Sequence, residues 1–157
     1  MAPLRIEQLA SRTELVPVVA AWIYDEWWQE VEGASPGKLT DLLRGHLVPD
    51  QMPLTFVASV DTLPVGTVSL LAHDVGTEQW PQLSPWLAAL YVVPEHRRQG
   101  IGAALVNAIV AQAGAMGRQV LYLLTTEREE FYSQLGWQVF DKTQDSTVMS
   151  RSAAILP

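Results

Sequence analysis

The chain has 157 residues, 48% of them hydrophobic and 17% charged, with no cysteine and a formal net charge of −7. This length and apolar share fit one domain with a sizeable core and exclude a disordered chain. The absent cysteines exclude disulfides, thiolate nucleophiles and cysteine-ligated zinc, and the acidic balance argues against a nucleic-acid partner.

The N-terminal segment, Met1 to Glu7, lacks the basic start and apolar core of a signal peptide. The apolar run from Val16 to Tyr24 contains Pro17 and is too short to span a membrane. A cytoplasmic protein without membrane contact is expected, and no metal site is.

Leu4 to Leu9 alternates and reads as a first strand. Thr13 is a candidate N-cap with Glu14 in the first turn of a helix, where Pro17 is tolerated. Val16, Val19, Ala20, Ile23 and Trp27 would form its buried face. Gly33 to Gly37 reads as a loop, and Ser35-Pro36 as the start of a short helix facing inward through Leu39, Leu42, Leu43 and Leu47. Two β-branched runs, Thr55–Val60 and Val65–Leu71, flank Asp61-Thr62-Leu63-Pro64 and predict a hairpin. A polar loop from Asp74 to Pro85 leads to a central strand, Trp86 to Val93. Residues 100–116 predict a long helix packed through Leu105, Val106, Ile109, Val110 and Ala113, with Gly117 ending it. A strand at Val120–Thr125, a short helix at Glu127–Leu135 and a closing strand pair, 137–140 with 147–150, complete the chain. No repeat, linker or low-complexity segment interrupts it.

The junction of the central strand and the long helix carries the most information. Arg97-Arg98-Gln99-Gly100-Ile101-Gly102 joins strand to helix. Glycines let backbone N–H groups approach an anion, a helix start offers unpaired donors, and arginines add charge-assisted contacts. Spacing excludes two common phosphate loops. The third glycine of a dinucleotide fingerprint is replaced by Leu105, and no Gly-Lys-Ser/Thr tripeptide exists. What remains is Arg-x-x-Gly-x-Gly at Arg97, Gly100 and Gly102. Downstream, Glu129 to Trp137 places Tyr132 on a short helix followed by Leu135-Gly136-Trp137.

These two motifs, in this order, resemble the acetyl-coenzyme A loop and the later tyrosine motif of the GCN5-related N-acetyltransferases. The resemblance runs from about Pro53 to Arg151. It implies a mixed, mostly antiparallel sheet in one α+β domain covering residues 1–157, splayed between the fourth and fifth strands. It also implies acetyl-CoA as cofactor and direct acetyl transfer to an amine. The pyrophosphate would rest on Gly100, Ile101, Gly102 and Ala103, with Arg97 and Arg98 beside it. The pantetheine would lie between Leu90, Tyr91 and Val92 on one side and Leu124, Thr125 and Thr126 on the other. Tyr132 would serve the departing thiolate as its catalytic proton donor.

Two departures stand out. The strand glutamate of the histone-acetylating branch aligns with Trp86, which cannot take a proton. The base is left open among His73, Asp74, Glu78, Glu127 and Glu129, acting through water, or none. Many members carry an Asn where Thr125 stands, and Thr125 or Thr126 is expected to substitute. Trp22 and Trp27 are expected in the core, whereas Trp28, Trp80 and Trp86 are candidates to wall an acceptor pocket, with Asp25, Glu26 and Glu30 attracting an ammonium group. The segment ending in Phe131-Tyr132 is also similar to acetyltransferases of acidic actin N termini, but the negative charge argues against an acidic acceptor. The implied acceptor is a small-molecule primary amine. A peptide N terminus, or a non-catalytic acyl-CoA sensor, are the alternatives, and a homodimer is left open.

Overall fold

A computed structural model describes residues 2–154. Seven strands form one sheet in the order β1-β2-β3-β4-β5-β7-β6. They are β1 (Leu4–Gln8), β2 (Leu54–Val60), β3 (Leu63–Leu71), β4 (Trp86–Val92), β5 (Val120–Thr125), β6 (Gln138–Lys142) and β7 (Thr147–Ser152). Every neighbouring pair is antiparallel except β4 and β5. Four α-helices flank the sheet: α1 (Val16–Ile23), α2 (Pro36–Arg44), α3 (Ile101–Ala115) and α4 (Glu129–Gln134). The expected α+β architecture with a mixed, mostly antiparallel sheet is present.

Alternation along the strands sorts the core into two layers. Leu87, Leu121 and Leu123 face α3 with Leu105, Val106, Ile109 and Ala113. Val57 faces the other way, against Val16, Val19 and Ile23 of α1 and Leu39 and Leu43 of α2. Burying a Leu, Ile or Val side chain contributes roughly 1.5–3 kcal/mol, so these two layers hold the helices on the sheet. Leu42 departs from its expected place: at 59% exposure it points to solvent, because the short α2 buries only the Leu39–Leu43 row.

Local signals behave as their chemistry dictates. Ser35 caps α2 by accepting from the Lys38 N–H at 3.1 Å, with Pro36 next. Gly117 takes φ +82° just past α3. The hairpin turn is tighter than expected, with Leu63 and Pro64 already in β3. Thr13 does not cap a helix; residues 13–15 form a 3-10 turn without a side-chain cap, and α1 follows directly.

Candidate functional site

β4 and β5 share one register pair, Trp86 with Tyr122, next to a hydrogen bond from Tyr122 N to Pro85 O at 3.0 Å. Beyond that point they separate. A bulge in β4 assists the parting. Ser69 pairs with Ala88 and Thr67 with Tyr91, so Ala89 and Leu90 together oppose one β3 residue. Ala89 sits at φ +55°, in the left-handed region that costs a non-glycine residue about 1–2 kcal/mol. Alanine gives no sequence signal of this bend. The result is a cleft of about 530 Å³ lined on its β4 side by Leu90, Tyr91 and Val92, as the sequence implies.

The loop after β4 forms the rim. Arg98 at φ +61° and Gly100 at φ +83° turn the chain into α3. Gly100 caps α3 without a side-chain bond, and the first return bond runs from Ala104 N to Gly100 O. The N–H groups of Ile101, Gly102 and Ala103 therefore lack intrahelical acceptors, and all three residues line the cleft. Arg97 donates from Nε to Val92 O at 2.8 Å and lies 5.6 Å over the Tyr91 ring. Arg98 is exposed on the same rim.

The far wall comes from α4. Tyr132 N bonds Arg128 O at 3.2 Å, which stacks the two residues one turn apart facing the cleft with Phe131. Tyr132 is 6% exposed and packs edge-on between Phe131 and Trp137. Burial pushes its phenol up to about 12, opposed by the nearby positive charge of Arg128. Thr125 and Thr126 do not border the cleft. The Thr125 hydroxyl instead accepts from Arg128 N at 3.0 Å and fixes the turn into α4.

Charge is concentrated here against the trend of the chain. Of the ten lysines and arginines, Arg97, Arg98 and Arg128 line this cleft, whereas Glu26 is the one lining acid out of 17. His96 adds a ring whose Nδ1 is buried without a hydrogen-bond partner among the described residues. A larger depression of about 610 Å³ lies near the C-terminal end of α3. Its one carboxylate, Asp50, is already bonded to Gln8 and Gln112, and it has no glycine loop.

The tryptophans are distributed otherwise than expected. Trp86 is fully buried and donates to Leu83 O at 2.8 Å; Trp80 is buried and donates to Asp141 Oδ2 at 2.8 Å. Both pack with Leu83 and Val148 where residues 72–85 fold back over the sheet, and neither lines this cleft. Trp28 packs against the α1–α2 core. Trp27, expected in the core, is 44% exposed and lines the cleft together with Glu26. The cause is a π-helical turn over Tyr24–Trp28, whose wider winding rotates Trp27 off the face of Ile23. Trp22 and Trp27 flank Tyr91 at ring distances of 5.7 and 6.5 Å.

None of the expected bases lines the cleft. Glu129 is paired with Lys142 at 3.3 Å and accepts from Thr147. Asp74 Oδ1 accepts from Val75 N at 2.8 Å, and burial raises its carboxyl to about 6. Glu78 accepts from Gly76 N, while His73 and Glu127 are exposed outside it. Glu26, expected to attract an ammonium, lines the cleft, whereas sequence reasoning missed Trp27, His96, Arg128 and Phe131 as cleft residues. A strict helical period hides Trp27, and Arg128 carries no local signal.

Comparison with known proteins agrees with this geometry. The family model described as the acetyltransferase (GNAT) domain matches residues 53–139, more than half of the chain. No curated protein matches the sequence. Aminoglycoside 6′-acetyltransferase type Ii superposes with a TM-score of 0.73 at 18% identity, covering 98% of this chain and 99% of its own. The PaiA N-acetyltransferase from Thermoplasma acidophilum, solved with coenzyme A, gives 0.67 at 18% identity over 96% and 99%. N-acetylglutamate synthase from Neisseria gonorrhoeae, complexed with coenzyme A and N-acetyl-glutamate, gives 0.72 at 19% identity over 99% of this chain. The match covers 36% of the synthase, so this chain spans about a third of that protein's length. At these identities the likenesses speak for the fold, and the domain match for the family: the chain belongs to the GNAT acetyltransferases, enzymes that use acetyl-CoA.

Proposed function

We propose that this chain transfers acetyl from acetyl-CoA directly to the primary amine of a small molecule. One observation carries the reading. A chain of net charge −7 gathers three arginines around an uncapped helix start in a single cleft. Such a site suits a pyrophosphate.

The residues present fit the donor. A Cβ on Gly102 would meet only ordinary contacts, Phe131 Cζ at 3.6 Å and Val92 Cγ2 at 3.9 Å. The fold therefore does not require glycine there, and a ligand on the N–H groups does. The buried, unpaired Nδ1 of His96 is a second polar atom waiting on that wall. Ile101, Gly102 and Ala103 would hold the pyrophosphate, Arg97 and Arg98 its charge, and the free edge of β4 the pantetheine. The relatives solved with coenzyme A on this fold support the same donor.

When bound, the donor supplies a thioester carbon open to an amine. The chain's part is to orient it and to steady the sulfur that leaves with its electron pair. Tyr132 remains protonated at neutral pH, since its phenol is held near 12. A thiol titrates near 8.5, so complete proton transfer from this phenol would be uphill by about 3–4 units. Tyr132 acts as a hydrogen-bond donor to the departing sulfur, and Arg128 lends its charge from one turn away.

The relative named as an aminoglycoside acetyltransferase, similar along its whole length, supports a small-molecule acceptor. The test is thiol release from acetyl-CoA with polyamines, aminoglycosides, amino acids and short peptides. Acceptor-dependent release with small amines supports the proposal. Release with peptides alone would make it a peptide acetyltransferase. Tight coenzyme A binding without release to any amine would make it a sensor.

A further inference from the structure

The proposed reaction needs a place for the acceptor ammonium and a group to take its proton. We infer that Glu26 takes that proton, and that Trp27 and Tyr91 seat the amine, which makes the acceptor a primary amine on a flat or apolar body. The inference rests on the proposed acetyl transfer and adds the acceptor side to it.

Three observations converge. Glu26 is the carboxylate that lines the cleft, and no Lys, Arg or His of the described residues pairs with it within 4.0 Å. Its place comes from the π-helical turn Tyr24–Trp28, which also swings a large indole into the same space. Trp27 is 44% exposed in the cleft and set edge-on to Tyr91 at 6.5 Å. An aromatic face beside a free carboxylate attracts an ammonium and packs the apolar group that carries it. π-turns persist where a site repays their poorer geometry.

The other charged or titratable groups sharing the cleft are His96, Arg97 and Arg98 from the loop, Arg128 just before α4, Tyr132 from α4, and Tyr91 from β4. On its own segment Glu26 is flanked by Asp25 and Glu30, both exposed. Arg97 is drawn back onto Val92 O.

The balance is simple. Glu26 relays one proton from the bound ammonium to water, an uphill step that frees the nitrogen lone pair only as the amine attacks. That pair forms the C–N bond as the C–S bond breaks and sulfur leaves with its electrons. The second nitrogen proton goes to water, and the sulfur is reprotonated from solvent. Amide and free thiol are the products.

The experiment compares 2-phenylethylamine with butylamine on wild type, Glu26→Gln and Trp27→Ala. Acetyl-CoA affinity by calorimetry and Tm are measured for each protein. In Glu26→Gln, kcat/KM at pH 7 should fall about 100-fold. It should then climb about tenfold per pH unit to pH 9, because only free amine from solution reacts. Acetyl-CoA affinity and Tm should hold. Trp27→Ala should raise KM for 2-phenylethylamine about tenfold and for butylamine less. A wild-type pH profile in Glu26→Gln would overturn the inference. So would a wild type that binds acetyl-CoA but acetylates neither amine, and that result would leave the donor reading intact. Failure of the wild type to bind acetyl-CoA would overturn the donor reading itself.

Discussion

Replacing Tyr132 with Phe removes one oxygen from a ring that is 6% exposed and packed against Phe131 and Trp137. The hydroxyl has no hydrogen-bond partner among the described residues, so the fold loses little and Tm should stay or rise slightly. The catalytic loss follows from the burial-raised phenol. Held near 12, it cannot hand its proton to sulfur outright, so the variant loses one charge-assisted hydrogen bond. Such a bond is worth about 1.5–3 kcal/mol, or about a 10–140-fold fall in kcat at roughly 1.4 kcal/mol per decade. The fall should appear equally in kcat and kcat/KM, since the bond is made to the departing sulfur. Single-turnover rates from pH 6 to 10 are the assay. Wild type and variant should run parallel, because the phenol does not ionise in that range. An alkaline limb near pH 9 that disappears in the variant would show a phenol titrating in its normal range and refute the argument. A stability consequence has the same sign. The raised value favours the neutral folded form, so its contribution is complete below pH 10 and lost towards pH 12, and Tyr132→Phe should lack that alkaline loss.

Gly102→Val should fold, given the ordinary contacts around its Cβ position, and should lose coenzyme A binding by calorimetry. Arg98→Gly should separate stability from binding. It relieves φ +61° and should raise stability by about 1 kcal/mol in denaturant titration, while weakening coenzyme A more than pantetheine. Trp86→Glu restores a carboxylate where the histone-acetylating branch carries one, yet should unfold the protein by circular dichroism, because the site is fully buried and its indole donates to Leu83 O. Asp74→Asn should raise Tm at pH 7 and not at pH 4. Its carboxyl is raised to about 6 chiefly by burial, so the native state is favoured when it is protonated and loses that stability as pH climbs through 6.

Local chemistry made much of this protein legible. Ser35-Pro36 starts α2 and Gly117 ends α3 because capping and left-handed turns are decided within four residues. The strands and α3 announce themselves by periodicity, and one packing solution satisfies their faces. The proposed phosphate loop is equally local, since its donors would be backbone N–H groups whose positions follow from Gly100, Gly102 and the helix start. Arg97, Arg98 and Tyr132 line one cleft.

The proposed acceptor end obeyed different rules. Trp27 was lost to the core in a 3.6-residue reading, because a π-turn changes the winding without changing the residue pattern. Trp80 and Trp86 vanished inside when residues 72–85 folded over β5, a contact between segments far apart in the chain. Arg128 met the cleft because Thr125 anchors the turn into α4, and the Ala89 bulge that opens the cleft is written in no glycine. Backbone donors and regular faces are set by neighbours in sequence. Which side chains share a cavity is set by how strands part and loops return, and only the tertiary packing decides that.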